Sequence, residues 1–181
     1  PYLVGEPNPE QLALMAALTY QIRRVSGIPT GVNIQFNAWQ AEMDVAYTCM
    51  ADFVRAEVFV DTVISAQGMI SPCSAQITRY RRQLGANNVL ILADIQTKYT
   101  TNVIPQTLSQ SARDAAAAGA DALIVTGAAT GQATPLDAVA DIKQHVDCPV
   151  LVGSGTTYET LEQVLNIADG AIVGSAFKED G

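Results

Sequence analysis

The strictest constraint on this chain is a regular alternation of helix-like and strand-like segments along its whole length. Six short runs rich in valine, isoleucine and leucine each follow a segment with helical spacing of apolar residues. Strands that are apolar on both faces and separated by helices are typical of a parallel sheet covered by helices. The sequence therefore predicts an α/β fold, either an open doubly wound sheet or a (β/α)8 barrel, with strands at 31–36, 53–60, 89–95, 122–127, 149–153 and 170–174.

Size and charge narrow the class of protein and its partners. The 181 residues are enough for a single domain, which we place over residues 1–181. A net charge of −8 repels nucleic acid, so we expect no nucleic-acid partner. No window is long and apolar enough to span a bilayer, and no signal segment is recognisable, so the sequence predicts a cytoplasmic protein.

The residues that usually bind metals or form disulfides are few and far apart. The three cysteines, Cys49, Cys73 and Cys148, are an odd number without a CxxC pair, which indicates reduced thiols. His145 is the only histidine, which excludes a histidine-rich metal site. No strand is followed by a GxGxxG sequence, so a Rossmann nucleotide site has no support. The sequence therefore predicts no metal and no cofactor.

Glycine and serine follow the last two predicted strands. Gly153-Ser154-Gly155 ends the fifth strand, and Gly174-Ser175 ends the sixth. In TIM barrels a phosphate group often lies against the loops after the last two strands, where glycine lets backbone amides approach the anion. We therefore predict one anion site at these turns and assign Gly127, which ends the fourth strand, to the same site. The alternative is that the glycines only permit tight turns with a positive φ.

Capping patterns predict where several helices begin and end. Asn8 followed by Pro9 predicts the start of the first helix, and Gly27 lies near its end. Thr156-x-x-Glu159 has the form of a capping box, so a helix is predicted to begin directly after the Gly153 turn. The segment 61–72 is predicted to be a long loop before the third helix.

Polar residues near the strand ends are the candidates for chemistry, because TIM-barrel sites are built at the C-terminal ends of the strands. Arg55 and Glu57 share one face of the second strand, Asp94 and Lys98 belong to the end of the third, and Asn33 lies on the first. One interpretation is a buried ion-pair layer in which the charged groups satisfy one another. In the other, Glu57 or Asp94 is a general base, and Lys98 binds an anion, stabilises an enolate or forms an imine.

Several stretches together resemble the BtpA family, which includes SgcQ-like proteins. The resemblance covers essentially the whole chain and is carried by GVNIQFN, FVRAEVFVD, RYRRQLGA, LADIQTK, DALIVTGAATG, PVLVGSGTT and ADGAIVGSAFKEDG. Membership implies a TIM-type barrel of which this chain covers strands three to eight, with two N-terminal strands and the last helix absent. Because six strands do not close such a barrel, we expect the first strand to lie at an exposed gap or against another chain in a homo-oligomer.

The resemblance leaves two functions open. By analogy with other phosphate-binding barrels, the first is an enzyme acting on a small phosphorylated metabolite through sugar-phosphate isomerisation, aldol cleavage or phosphoester chemistry. The second is a non-catalytic, membrane-associated factor in photosystem I biogenesis, as in the cyanobacterial branch of the family. The chain departs from many members at Tyr99, where they have histidine, and at Ser65-Ala66-Gln67-Gly68, where they have an aspartate. Chemistry that needs that imidazole or carboxylate is therefore not assigned to this chain.

Overall fold

The computed structural model describes residues 4–127 and 132–178. The parts of the quoted motifs at 128–131 and 179–181 therefore lie outside the described residues. The strands of the described part are β1 (Gly31–Val32), β2 (Phe53–Ala56), β3 (Val63–Ser65), β4 (Gly68–Ile70), β5 (Leu90–Ile95), β6 (Thr100–Asn102), β7 (Ala122–Val125), β8 (Val150–Val152) and β9 (Gly170–Ala171). The helices are α1 (Pro9–Ser26), α2 (Trp39–Thr48), α3 (Ser74–Leu84), α4 (Leu108–Ala117), α5 (Leu136–Lys143) and α6 (Leu161–Leu165), with a 3-10 turn at Ser175–Phe177.

Six of the strands form one curled parallel sheet in the order β1-β2-β5-β7-β8-β9. Every neighbouring pair is parallel; Val54 lies opposite Ile91, for example, and Ile124 opposite Leu151. Each strand is added on the same side as the one before, whereas a doubly wound sheet reverses its order at a switch point. The strand order therefore selects the barrel from the two predicted architectures, and the sheet is part of a TIM-type barrel. That another chain covers β1 stays a prediction.

One apolar core joins the sheet to its helices. Its completely buried side chains include Met43 of α2, Ile91 of β5, Leu123 of β7 and Ile142 of α5. Because side chains on both faces of the central strands are buried, the strand ends are held in fixed positions relative to one another. Among the described helices, none combines the length and the apolar character needed to cross a membrane.

The predicted start and end of the first helix are confirmed. The Asn8 side chain accepts a hydrogen bond from the Gln11 N–H at 2.9 Å, and the Gln11 side chain accepts one from the Asn8 N–H at 3.0 Å. Pro9 follows as the first helical residue. The helix ends at Gly27, whose φ of +66° is a left-handed conformation that glycine adopts without steric cost.

The segment 61–72 is not a long loop, and this prediction was wrong. β3 and β4 form a hairpin, and β6 pairs with the other side of β3 to give a three-stranded antiparallel sheet. Val63 and Ile70 lie opposite each other in the hairpin and pack with Phe36 and Val58 in a small second core. The strands have three residues each and depend on these tertiary contacts, so no period in the sequence marks them.

The helix expected directly after the Gly153 turn begins later than predicted. The capping box at Thr156 does not form, and α6 starts at Leu161. The Thr157 N–H donates instead to the Thr160 hydroxyl at 2.9 Å, and the Thr157 hydroxyl donates to Glu159 at 2.7 Å. These local hydrogen bonds stabilise a turn that competes with the helix.

The first strand is also shorter than predicted. β1 contains only Gly31 and Val32, and the residues that follow turn towards α2. The Ile34 N–H donates to the Glu42 carboxylate at 2.6 Å, a side-chain contact that replaces pairing with the next strand. The turn places the side chain of Asn33 beside the end of β2, where its amide donates to the Arg55 carbonyl at 3.2 Å.

Candidate active site

The two Gly-Ser turns line one open cavity of about 580 Å³ at the C-terminal end of the parallel sheet. The other side chains that reach it include Arg55, next to the last residue of β2, and Lys98, which follows β5. Within the described part of the chain, the lining holds these two cations and no acidic side chain. The described residues that line the cavity are Arg55, Lys98, residues 153–157, Ile172 and residues 174–176. A concave site with this lining suits a small anionic molecule.

Hydrogen bonds to the neighbouring strand β7 and to the segment after it hold the first turn, Gly153-Ser154-Gly155, in place. The Gly153 N–H donates to the Val125 carbonyl at 2.7 Å, so this amide is not available to a ligand. The buried Ser154 hydroxyl accepts from the Gly127 N–H and donates to the Gln132 carbonyl, both at 2.9 Å. Gly127 is not part of the cavity lining. Its amide and the Ser154 hydroxyl therefore stabilise the turn, and any amides presented to an anion come from elsewhere in the two turns.

The two turns differ in their need for glycine. Gly155 has a φ of +74°, and a Cβ atom there would lie 2.5 Å from Ala133 Cα. Gly174 has a φ of −130° and no atom within 4 Å of a Cβ built on it. The interpretation that glycine permits a positive φ and a close approach therefore applies to Gly155. Thr156, next to it in the lining, has a buried hydroxyl without a partner among the described residues.

Arg55 and Asp94 form a doubly hydrogen-bonded ion pair across strands β2 and β5. Arg55 Nε lies 2.9 Å from Asp94 Oδ1, and Arg55 Nη2 lies 2.9 Å from Asp94 Oδ2. The Thr97 hydroxyl also donates to Asp94 Oδ2, at 3.1 Å. The Asp94 side chain is 0% exposed. Asp94 is thus a buried counterion that fixes the guanidinium at the cavity wall.

Glu57 lies just beyond the end of β2 and is almost completely buried. Its Oε1 accepts from Asn33 Nδ2 at 2.7 Å, and its Oε2 accepts from the Asn37 N–H at 3.1 Å. Burial raises the pKa of Glu57 to about 7, and the charge of Asp94 acts in the same direction, against the lowering effect of the Asn33 hydrogen bond. A carboxyl group with this pKa is suited to general acid-base chemistry near neutral pH.

Sequence reasoning missed a second buried carboxyl group, Glu42 on α2, which is 0% exposed. Its Oε1 lies 3.2 Å from Asn33 Nδ2, the same amide nitrogen that binds Glu57. Burial, with a further contribution from the charge of Glu57, raises the pKa of Glu42 well above its usual value. Glu42 is four residues after buried Ala38 and three before buried Val45. That spacing on an apolar helix face is the signal that could have found it.

The structure separates the predicted catalytic residues into two adjoining groups. Arg55 and Lys98 reach the cavity together with the two turns, and no ion pair holds Lys98 within residues 4–127 and 132–178. Asn33, Glu57 and Asp94 lie in the buried polar network next to the cavity and not in its lining. Arg55 belongs to both groups and connects them.

Comparison with other sequences identifies relatives over the whole chain. An uncharacterised mitochondrial protein of Caenorhabditis elegans is 36% identical over 188 residues, which cover 100% of this chain and 68% of the relative. An uncharacterised protein of Thermococcus kodakarensis is 33% identical, covering 94% of this chain and 64% of its own length. The photosystem I biogenesis protein BtpA of Synechocystis is 30% identical, covering 97% and 63%. The chain thus spans about two thirds of the length of these relatives.

Solved structures with a similar fold are TIM-barrel proteins. A putative phosphonomutase from Burkholderia cenocepacia matches with a TM-score of 0.64 and 20% identity, covering 89% of this chain and 70% of its own. Thiamine phosphate pyrophosphorylase from Pyrococcus furiosus matches with a TM-score of 0.62 and 21% identity, covering 99% and 74%. At these identities the likeness supports the fold alone. The family itself follows from the sequence: the model of the BtpA family matches residues 1–181, and the chain belongs to that family.

Proposed function

We propose that this protein is a TIM-barrel enzyme that acts on a small phosphorylated metabolite. The observation that carries the proposal is the cavity in which both Gly-Ser turns meet Arg55 and Lys98. The lining is cationic although the chain has a net charge of −8, so an anion is attracted here and repelled by most of the remaining surface. A phosphate group against the turns would accept hydrogen bonds from backbone amides and from the cationic side chains.

Glu57 is the preferred acid-base group in this proposal. Its raised pKa of about 7 allows the carboxyl to accept and return a proton near neutral pH. Because Glu57 does not line the cavity, the substrate's proton next to a carbonyl would pass to it through a bridging water. Lys98 would stabilise the negative charge that develops on the carbonyl oxygen. Sugar-phosphate isomerisation forms an enolate by this proton transfer. In aldol cleavage the base would instead take the hydroxyl proton while the C–C bond breaks, and the electron pair of that bond would form the enolate. Phosphoester chemistry, the third possibility, would depend on the turns and the cations alone.

A ligand comparison tests the phosphate requirement. Thermal unfolding would be followed with pairs of compounds that differ only in a phosphate group, such as sugar phosphates and the parent sugars, and with inorganic phosphate. Ligands that bind the folded state raise the unfolding temperature by an amount that grows with the logarithm of their concentration relative to Kd. We expect the phosphorylated member of at least one pair to stabilise the protein and its parent to have no effect. Equal stabilisation by both members would contradict the proposal.

Matched variants locate the binding. Gly174→Asp places a carboxylate at the cavity in a position with open space, and Gly174→Ala is its uncharged control. Lys98→Met removes a cation from the lining, and Arg79→Met removes one from the exposed side of α3. We expect the two cavity variants to lose phosphate binding and the two controls to keep it. Binding that survives Gly174→Asp and Lys98→Met would place the anion elsewhere.

A second candidate function is that of a non-catalytic assembly factor. It is supported by the name of the Synechocystis relative and by a row of exposed apolar side chains on one side of α1. The row consists of Leu14, Leu18, Ile22 and Val25. Their spacing of three or four residues gives a continuous apolar face, which is typical of a protein-binding surface.

The two candidate functions can be separated by variants at different places. If the protein is an assembly factor, it should co-sediment with purified photosystem I, and Leu18→Glu with Val25→Glu should abolish this. Lys98→Met should leave co-sedimentation unchanged. No co-sedimentation, together with phosphate binding that depends on Lys98, would support the enzyme.

A further inference from the structure

Two buried carboxyl groups converge on one amide nitrogen. Asn33 Nδ2 lies 2.7 Å from Glu57 Oε1 and 3.2 Å from Glu42 Oε1. The same nitrogen is also 3.2 Å from the Arg55 carbonyl oxygen. A side-chain amide has two N–H groups, so three acceptors exceed the hydrogen bonds that it can donate. Glu42 is 0% and Glu57 3% exposed, so bulk solvent does not reach either carboxyl group.

The charges around the pair do not compensate two negative carboxylates. The charged and titratable groups that face it are Arg55 and Asp94 on the sheet and Cys73 before α3. Arg55 directs its Nε and Nη2 to the two oxygens of Asp94, whose side chain is 0% exposed. Three carboxyl groups therefore share one guanidinium that is already paired. Two further negative charges in this interior are strongly unfavourable unless a proton remains bound.

The surroundings of the two groups are unequal. Both oxygens of Glu57 accept hydrogen bonds, from Asn33 Nδ2 and from the Asn37 N–H. Glu42 Oε1 accepts from the Ile34 N–H, but Glu42 Oε2 has no hydrogen-bond partner among the described residues. Donors to both oxygens favour the charged form of a carboxyl group, and a buried oxygen without a donor disfavours it.

We propose that Glu42 and Glu57 form an electrostatically linked pair in which Glu42 remains a neutral carboxylic acid and Glu57 is the member that binds and releases a proton. Asn33 lies between the two and holds Glu57 Oε1. Glu42 is then a positioning residue, because it occupies the far side of this amide without adding a second negative charge. The acid-base role of Glu57 rests on the proposed function; the neutral state of Glu42 does not.

Carboxyl titration tests the pair without any ligand. Glutamate labelled with ¹³C at the side-chain carboxyl would be observed by NMR from about pH 3 to about pH 9, a range that includes the ordinary glutamate pKa and the raised pKa values of buried glutamates. Glu42→Gln and Glu57→Gln assign the two resonances. We expect the Glu57 resonance to titrate near neutrality and the Glu42 resonance to stay in the protonated position throughout that step. In Glu57→Gln, Glu42 should lose its proton at a lower pH than in the wild type.

Two further outcomes decide the proposal. Two carboxylate-type resonances at neutral pH, or ordinary glutamate titration of both groups, would overturn it. If either variant fails to fold, infrared spectra of the wild type at slightly alkaline pH replace the assignment: a protonated carboxyl band should be present in the folded protein and lost in urea. Absence of that band would also overturn the proposal. If both groups titrated like ordinary glutamates while phosphate still bound, the proposed pair would be wrong and the proposed function would stand. If the pair titrated as expected and no phosphate bound, the catalytic role of Glu57 would be wrong and the pair would stand.

Discussion

Arg55 and Asp94 bind each other through two hydrogen bonds of 2.9 Å, one from Nε and one from Nη2 of the guanidinium. The geometry joins strands β2 and β5 at the cavity and leaves both Asp94 oxygens with a donor. An aspartate whose two oxygens are both bound by a cation is a poor candidate for accepting a substrate proton, whereas the two oxygens of Glu57 accept from neutral amide groups. Between the two predicted bases, the arrangement therefore favours Glu57, while Asp94 keeps Arg55 in place.

Loss of Arg55 should destabilise the fold strongly. Arg55→Met leaves the completely buried Asp94 carboxylate without its cation, and breaking a buried pair in this way costs roughly 3–5 kcal/mol. The measurement is the free energy of unfolding in urea. The double variant Arg55→Met/Asp94→Leu removes both charges and should recover most of the loss. A single variant as stable as the wild type would show that the ion pair contributes little.

Much of the fold could be predicted because its signals are local. The cap at Asn8, the glycine at 27 and the apolar strands are visible in short stretches of sequence, and the parallel direction of the strands follows from the alternation. The order of the strands, which separates a barrel from a doubly wound sheet, came from the structure. The sheet of β3, β4 and β6 could not be predicted in the same way. Its pairing joins Val63 to Asn102, far apart in sequence, and its strands are too short to show a period.

The site was predicted in part for a similar reason. Strand-end reasoning selected Arg55 and Lys98, which meet the two turns at the cavity. It missed Glu42, because that carboxyl group comes from a helix and its burial depends on packing between elements. It also gave Gly127 a place in the anion site, although the Gly127 N–H donates to Ser154. No local sequence pattern predicts such a hydrogen bond between two loops that are distant in the sequence.

The glycines of the two turns should respond differently to alanine. Gly155→Ala places a Cβ atom 2.5 Å from Ala133 Cα at a φ of +74°, so backbone must move. We expect a loss of at least about 2 kcal/mol in the free energy of unfolding. Gly174→Ala meets no atom within 4 Å and should change stability by less than about 0.5 kcal/mol. Equal effects of the two substitutions would show that the first turn is able to relax.

The Ser154 hydroxyl should contribute to stability. In Ser154→Ala the Gly127 N–H loses its acceptor and the Gln132 carbonyl loses its donor, both of which are now at 2.9 Å. Loss of a buried partner costs about 1–3 kcal/mol. Tyr158→Ala, at an exposed position of the same loop, is the control and should cost less than about 0.5 kcal/mol. Urea unfolding compares the two; a Ser154→Ala protein with wild-type stability would argue that water replaces the hydroxyl.

The protein should lose stability as the pH rises through neutrality, because of Glu57. Its pKa is about 7 in the folded protein against 4.5 for an ordinary glutamate. The folded state therefore binds the Glu57 proton more tightly than the unfolded state does. The resulting stabilisation is complete below about pH 4.5 and is lost as the pH rises through about 7, an effect of roughly 3–4 kcal/mol.

Glu57→Gln isolates this contribution. The glutamine does not titrate, so between about pH 5 and about pH 8 the unfolding free energy should decrease less in the variant than in the wild type. Glu42, which keeps its proton in the folded state, contributes a decrease in both proteins. Asp169, whose pKa is lowered by its hydrogen bond to Lys143, acts in the opposite sense: its stabilisation is present above its unfolded pKa and is lost as the pH falls. That contribution is the same in both proteins and cancels in the difference. If wild type and variant showed parallel pH profiles of unfolding free energy, Glu57 would have an ordinary pKa in the folded protein, and its place as the acid-base group would be lost.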